Sequence, residues 1–145
     1  MPTTSTRRKN KVTVQYAVPR RGVPGAASLR RWAALVPAEV TLRIVGRGEG
    51  GRLNRAFRNK RHATNVLAFP YGHGRGDVVL CHPVIRREAR AQGKSVAAHY
   101  AHLVVHGILH LRGYGHDRKA EARRMERAEI RLLRRAGFRN PYTVE

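Results

Sequence analysis

The segment HYAHLVVHGILHLRGYGHD, residues 99–117, constrains this chain more than any other. Its apolar residues predict a long helix, with Ser95 as N-cap and an end near Leu111, before a break at Gly113. On that helix His106 and His110 stand at i and i+4, so both imidazoles project from one face, about 6 Å apart. Gly113 permits a sharp reversal that brings His116 back towards the same point. The spacing H-x-x-x-H-x-x-G-x-x-H therefore offers three neutral nitrogen ligands to one divalent ion. It leaves a fourth position open, as in a catalytic rather than a structural zinc site. A lone histidine on an apolar face is ordinarily a satisfied core residue. Three at this spacing around a glycine turn predict a metal site. His102, one turn before His106, and His99 are expected to support the ligands, face a substrate or lie on the helix surface rather than bind the ion.

The same ligand spacing occurs in the metzincin proteases, which read H-E-x-x-H-x-x-G-x-x-H and use the glutamate as general base. Here that position is Gly107, which can neither accept nor deliver a proton. The ligand cage is present and the peptidase base is missing. Three neutral imidazoles leave the charge of the ion uncompensated, which suits an anionic phosphodiester. A divalent ion so placed acidifies water to a pKa of roughly 7 and polarises a phosphoryl oxygen. The charge of the chain agrees. Its 145 residues include 30 Lys and Arg against 9 Asp and Glu, a formal net charge of +21, and no acidic residue precedes Glu39. Such a surface attracts polyanions and releases counterions from a phosphate backbone on binding. Nucleic acid is the expected partner, ahead of an acidic protein or a membrane surface.

A chain of this length, with 41% hydrophobic residues, fits one soluble domain with a genuine core. No apolar stretch approaches the ~20 residues that span a bilayer, and MPTTSTRRKNK lacks the apolar region of a secretory signal. A cytoplasmic location and no membrane partner are expected. The one cysteine, Cys81, cannot form an internal disulfide. Residues 1–10 are expected to form a basic flexible arm, and residues 11–145 a single domain. KVTVQYAV from Lys11 and EVTLRIVG from Glu39 alternate as strands, the second with Val40, Leu42 and Ile44 on one face. Between them AASLRRWAALV has helical spacing, with Leu29, Trp32, Ala33 and Val36 sharing a face, until Pro37 ends it. GRGEGG is expected to be a turn leading to a short helix from Arg52 to Arg58, and YGHGRG a loop between the strand-like runs NVLAFP and GDVVLCHP. Pro83 opens a helix that Gly93 stops. Asp117 is expected to cap a last helix from Arg118 to Ala136, closed by Gly137. This order predicts an α+β fold, a small sheet packed with helices and a metal site at the end of the long helix in the C-terminal half.

HGILHLRGYGH, from His106 to His116, resembles the signature H-G-x-L-H-L-x-G-Y-D-H of the YbeY family, the bacterial endoribonucleases that act as rRNA maturation factors. LNRAFRNKRHATNVLAFP, from Leu53 to Pro70, is similar to that family's L-N-x-x-Y-R-x-K-D-x-P-T-N-V-L-S-F-P segment. GDVVL, EARAQGK, the H-x-A-H run at His99 and GFRNPY match as well, so the resemblance covers roughly residues 40–142. It implies a single α+β domain with a small mixed sheet, and one divalent metal ion on His106, His110 and His116. Zn2+ fits the all-imidazole set best, with nickel or copper as alternatives. It also implies a catalytic arginine at Arg58, able to clamp phosphate bidentately and stabilise charge in the transition state, with Lys60 a weaker candidate for contacting RNA. The implied activity is that of a metal-dependent, single-strand-preferring endoribonuclease. It would act in rRNA maturation, at the 3′ end of the small-subunit rRNA, and in ribosome quality control. The implied partners are rRNA, single-stranded RNA, the small ribosomal subunit, ribosomal proteins and a ribosome-associated GTPase. The alternative is a non-catalytic rRNA-binding ribosome-assembly factor with a structural metal. A metallopeptidase is more distant, because of Gly107.

Several positions depart from the family pattern. Gly115 stands where the family has Asp before the third histidine, although Asp117 follows. Arg61 and Ala63 replace its Asp and Pro, and Ala68 replaces its Ser. No obvious general base adjoins the three ligands in the sequence. Thr64 and Asn65 are expected to secure a turn or line the cleft, and Asp77 to serve turn chemistry. Cys81 and His82 would alternate faces on a strand, which argues against a ligand pair. The basic last helix reads as a solvated face, with an RNA-contacting stripe as the alternative.

Overall fold

The computed structural model describes residues 11–58 and 64–143, with the backbone alone at residues 57 and 58. The expected arm, residues 1–10, lies outside the described residues, as do Lys60, Arg61 and Ala63. Four strands form one sheet: β1 (Lys11–Tyr16), β2 (Glu39–Val45), β3 (Val66–Gly72) and β4 (Arg75–Cys81). Five helices are described with them: α1 (Ala26–Ala33), α2 (Arg47–Arg58), α3 (His82–Gln92), α4 (Val96–Leu111) and α5 (Lys119–Arg135). The sheet order is β1-β2-β4-β3. β1 and β4 run parallel to β2, while β3 runs antiparallel to β4, so the sheet is mixed. The fold is α+β, as expected.

Strand alternation decides which face is covered. Val40, Leu42 and Ile44 of β2 join Val78 and Leu80 of β4 in the main core. α4 lies on this face through Tyr100, Val104, Ile108 and Leu111, flanked by Leu29 and Trp32 of α1 and by Met125, Leu132 and Leu133 of α5. The opposite face carries a smaller cluster of Val45, Leu67, Val79, Cys81 and Val84, against which Leu53 of α2 packs. α4 approaches the sheet closely at Gly107, where a β-carbon would stand 2.7 Å from Val78 Cγ1. That contact helps to hold the histidine-bearing half of the helix close to the sheet.

Four local expectations need correction. All of GRGEGG after Gly46 is helical rather than a turn, because α2 begins at Arg47. Arg43 on β2 holds Glu49 of the first turn at 2.6 and 2.9 Å, a tertiary tie that offsets the poor helix propensity of the glycines. YGHGRG is mostly strand, because pairing runs to Gly72 opposite Arg75. Its turn is the two residues His73 and Gly74, both left-handed at φ +58° and +73°, as a tight hairpin between twisted strands requires. Asp117 caps nothing: the N-cap of α5 is Arg118, with no side-chain cap bond. Asp77 lies within β4 rather than in a turn and accepts a hydrogen bond from Tyr71.

Candidate metal centre

The sequence positions the three histidines through one helix and the turn that ends it. Ser95 Oγ accepts from the Ala98 amide at 3.0 Å and fixes the start of α4. At the other end Gly113, at φ +91°, reverses the chain, and the Tyr114 amide returns to the Leu109 carbonyl at 3.0 Å. His116 is thereby carried back, its ring centroid 4.8 Å from that of His110 and 5.7 Å from that of His106. One nitrogen from each of His106, His110 and His116 lies within 4.8 Å of the others, a group that could hold a metal ion.

The tautomers support this reading. His110 Nδ1–H donates to the Tyr114 carbonyl at 2.9 Å, and His106 Nδ1–H donates to Glu129 Oε2 at 2.5 Å. In the neutral rings both Nε2 atoms then carry lone pairs, and these face each other at 3.2 Å. Two such lone pairs repel unless a cation lies between them. Two nitrogens each 2.0–2.1 Å from one tetrahedral ion stand about 3.3 Å apart, so the spacing fits. Burial, helped by the neighbouring His106 and His116, holds the pKa of His110 below its ordinary value and keeps the ring neutral.

Behind the three histidines is a carboxylate that the sequence reading did not single out. Glu129 of α5 is 0% exposed. Besides His106 it accepts from His102 Nε2 at 3.0 Å and from the Tyr142 hydroxyl. Burial alone would raise its pKa, but the bonds from His102, His106 and Tyr142 outweigh it and hold the carboxyl at about 2. Its signal was present in the sequence: Met125, Ala128, Glu129, Leu132 and Leu133 form the buried face of α5, and one member of that apolar stripe is charged. His102 thus supports His106 through Glu129. His99 is buried and bonded through Nε2 to Glu88 at 2.8 Å, the same carboxylate oxygen that Asn65 Nδ2 reaches at 2.9 Å. A groove of about 960 Å³ opens along Asn65, Glu88, His99, His102 and Tyr142.

Arg58 is the last residue of α2, and its side chain lies outside the described residues. Where the family pattern has Asp, a β-carbon on Gly115 would stand 3.5 Å from Glu121 Oε1. The first turn of α5 therefore supplies a carboxylate beside that position. Asp77, on the sheet face opposite α4, is not brought to the histidines. Nor are Cys81, which is buried in the smaller cluster, and His82, whose Nδ1 lies 2.7 Å from the Tyr100 hydroxyl.

A mixed sheet under one buried helix, with three histidines converging at the end of that helix, defines an α+β domain built around a candidate metal centre. Comparison with known proteins is consistent with that class. The family described as Endoribonuclease YbeY matches residues 23–137, and the chain belongs to the YbeY family. It is 48% identical to the Endoribonuclease YbeY of Nitrosospira multiformis, covering 92% of this chain and 82% of that one. It is 50% identical to the protein of the same name from Nitrosomonas europaea, covering 92% and 85%. The solution structure of TM1509 from Thermotoga maritima shares the fold, with a TM-score of 0.57 at 20% identity over 91% of this chain and 99% of that one.

Proposed function

We propose that this chain is an endoribonuclease that depends on one divalent ion, most simply Zn2+, held by His106, His110 and His116. The carrying observation is the pair of Nε2 atoms facing at 3.2 Å while both Nδ1 atoms are engaged elsewhere. The name shared by its relatives, Endoribonuclease YbeY, and the net charge of +21 support RNA as substrate. When bound, such an ion supplies Lewis acidity towards water and a phosphoryl oxygen. The residues of the chain do the rest. Glu129 and the Tyr114 carbonyl fix the tautomers of His106 and His110. Gly107, pressed against Val78, leaves no space for the glutamate a metallopeptidase would place there. Arg58 is assigned to clamp the scissile phosphate. Single-strand preference, action at the 3′ end of small-subunit rRNA, ribosome quality control, partnership with the small subunit, its proteins and a GTPase, and a cytoplasmic site of action complete the proposal. Among the described residues no helix is long and apolar enough to cross a membrane.

The test is cleavage of a short single-stranded RNA by metal-loaded protein, beside chelated protein and a His110→Ala variant. Cleavage by the loaded wild type alone is the expected result. Equal cutting by all three would assign the activity to a contaminant. If none cuts while the loaded protein binds the RNA tightly, the assembly-factor reading takes its place.

A further inference from the structure

Charge on α5 is sorted by face. At about 100° per residue, Arg123, Arg124, Arg127, Arg131, Arg134 and Arg135 fall within an arc of roughly 120° on the side away from Glu129, and all six are exposed. They extend along roughly 18 Å of helix. Glu121 and Glu126 lie on the flanks of this arc, outside it. Among the described residues no ion pair joins any of the six to a carboxylate. Arg124 lies over the ring of Tyr114, 4.4 Å from its centroid.

Several of these arginines stand three or four residues apart, as do Arg123, Arg127, Arg131 and Arg135, and like charges at those spacings repel. Keeping a helix face in water requires polar residues, and mixed signs would do it without repulsion. A face of one sign fits a polyanion. No large apolar side chain lies on the arc to enter the acyl region of a bilayer. No aromatic side chain of α5 lies there either, so the face lacks the aromatic platforms on which single-strand binders stack successive bases. What remains is the phosphate backbone of a folded RNA, read by charge and shape.

We infer that the outer face of α5 is a second RNA-binding surface. It grips the backbone of a double-helical region while a neighbouring single strand lies at the histidine centre on the other side of the same helix. This rests on the reading of the chain as an RNA-cleaving enzyme. A helix is about 10–12 Å across, so one folded RNA reaches both sides.

The test compares the wild type with Arg127→Glu/Arg131→Glu and Arg127→Lys/Arg131→Lys. Affinity for a blunt RNA hairpin is measured by anisotropy between roughly 50 and 200 mM salt, and cleavage of a short single-stranded RNA alongside. Neither variant should unfold at a lower temperature than the wild type, since both sites are exposed and the glutamates relieve repulsion along the arc. The glutamate variant should bind the hairpin at least about tenfold more weakly, with a salt slope shallower by about two, while the lysine variant stays within about threefold. Cleavage of the short strand should be unchanged in both. Unchanged hairpin binding overturns the inference, as does an equal loss of hairpin binding and short-strand cleavage. So does loss of binding to phosphatidylserine vesicles with hairpin binding intact. If the wild type binds the hairpin through these arginines but cuts no RNA, the nuclease reading falls and this surface stands.

Discussion

Glu129 shows how one side chain can decide the state of a site it does not enter. Its two oxygens take hydrogen bonds from His106, His102 and Tyr142, so the His106 ring is turned with Nε2 towards His110. Glu129→Gln keeps an oxygen acceptor for His106 but removes the negative charge behind the ring, which favours a cation at Nε2. Zinc affinity should fall about 10- to 100-fold, read by competition with a chromogenic chelator. Tyr142→Phe removes one donor to Glu129 without touching His106 and should change affinity far less. Zinc binding by Glu129→Gln at wild-type strength would reduce Glu129 to a packing role. The histidines were legible because one helix and one glycine turn encode their geometry. Glu129 was not, because its meaning depends on how α5 docks on α4, and in sequence it is one acidic residue in a basic segment.

At the scale of elements, the strands and long helices could be read from their apolar periods, and the start of α2 was misread because a tertiary contact overrides local preference there. Glycines at 46, 48, 50 and 51 argued for a turn, yet the Arg43–Glu49 pair ties the first turn of α2 to the sheet. The glycine in α4 is a different case, because Gly107 is required by what it touches. In Gly107→Ala the new methyl would stand 2.7 Å from Val78 Cγ1, and valine on a strand has little freedom to yield. Overpacking of this kind costs about 1–3 kcal/mol, against roughly 1 kcal/mol gained in helix propensity. The net loss should be up to about 2 kcal/mol, a fall in Tm of up to roughly 8 °C by calorimetry. A Tm clearly above wild type would mean that α4 can lift off β4 without penalty, and that the sheet does not set the position of the histidines.

For the whole molecule, the question is whether the metal holds the fold or the fold holds the metal. An extensive apolar core joins α1, α4, α5 and the sheet, and the three converging histidines, none of them buried, lie at its margin. The metal-free chain should therefore be folded, with its far-ultraviolet circular dichroism unchanged by a chelator. An ion that binds only the folded state then adds stability by mass action, about 2.7 kcal/mol at a free concentration 100 times its Kd, or roughly 5–10 °C in Tm. His116 is exposed and follows the Gly113 turn, so His116→Ala should leave the metal-free Tm within about 2 °C while losing most of the zinc-dependent rise. That pairing separates a ligand from a structural residue, because a residue that merely packs would lower both values together. If chelation instead melts helix in the C-terminal half, the ion is part of the fold. The site would then be a structural one, and the case for a metal-centred nuclease would lose its physical basis.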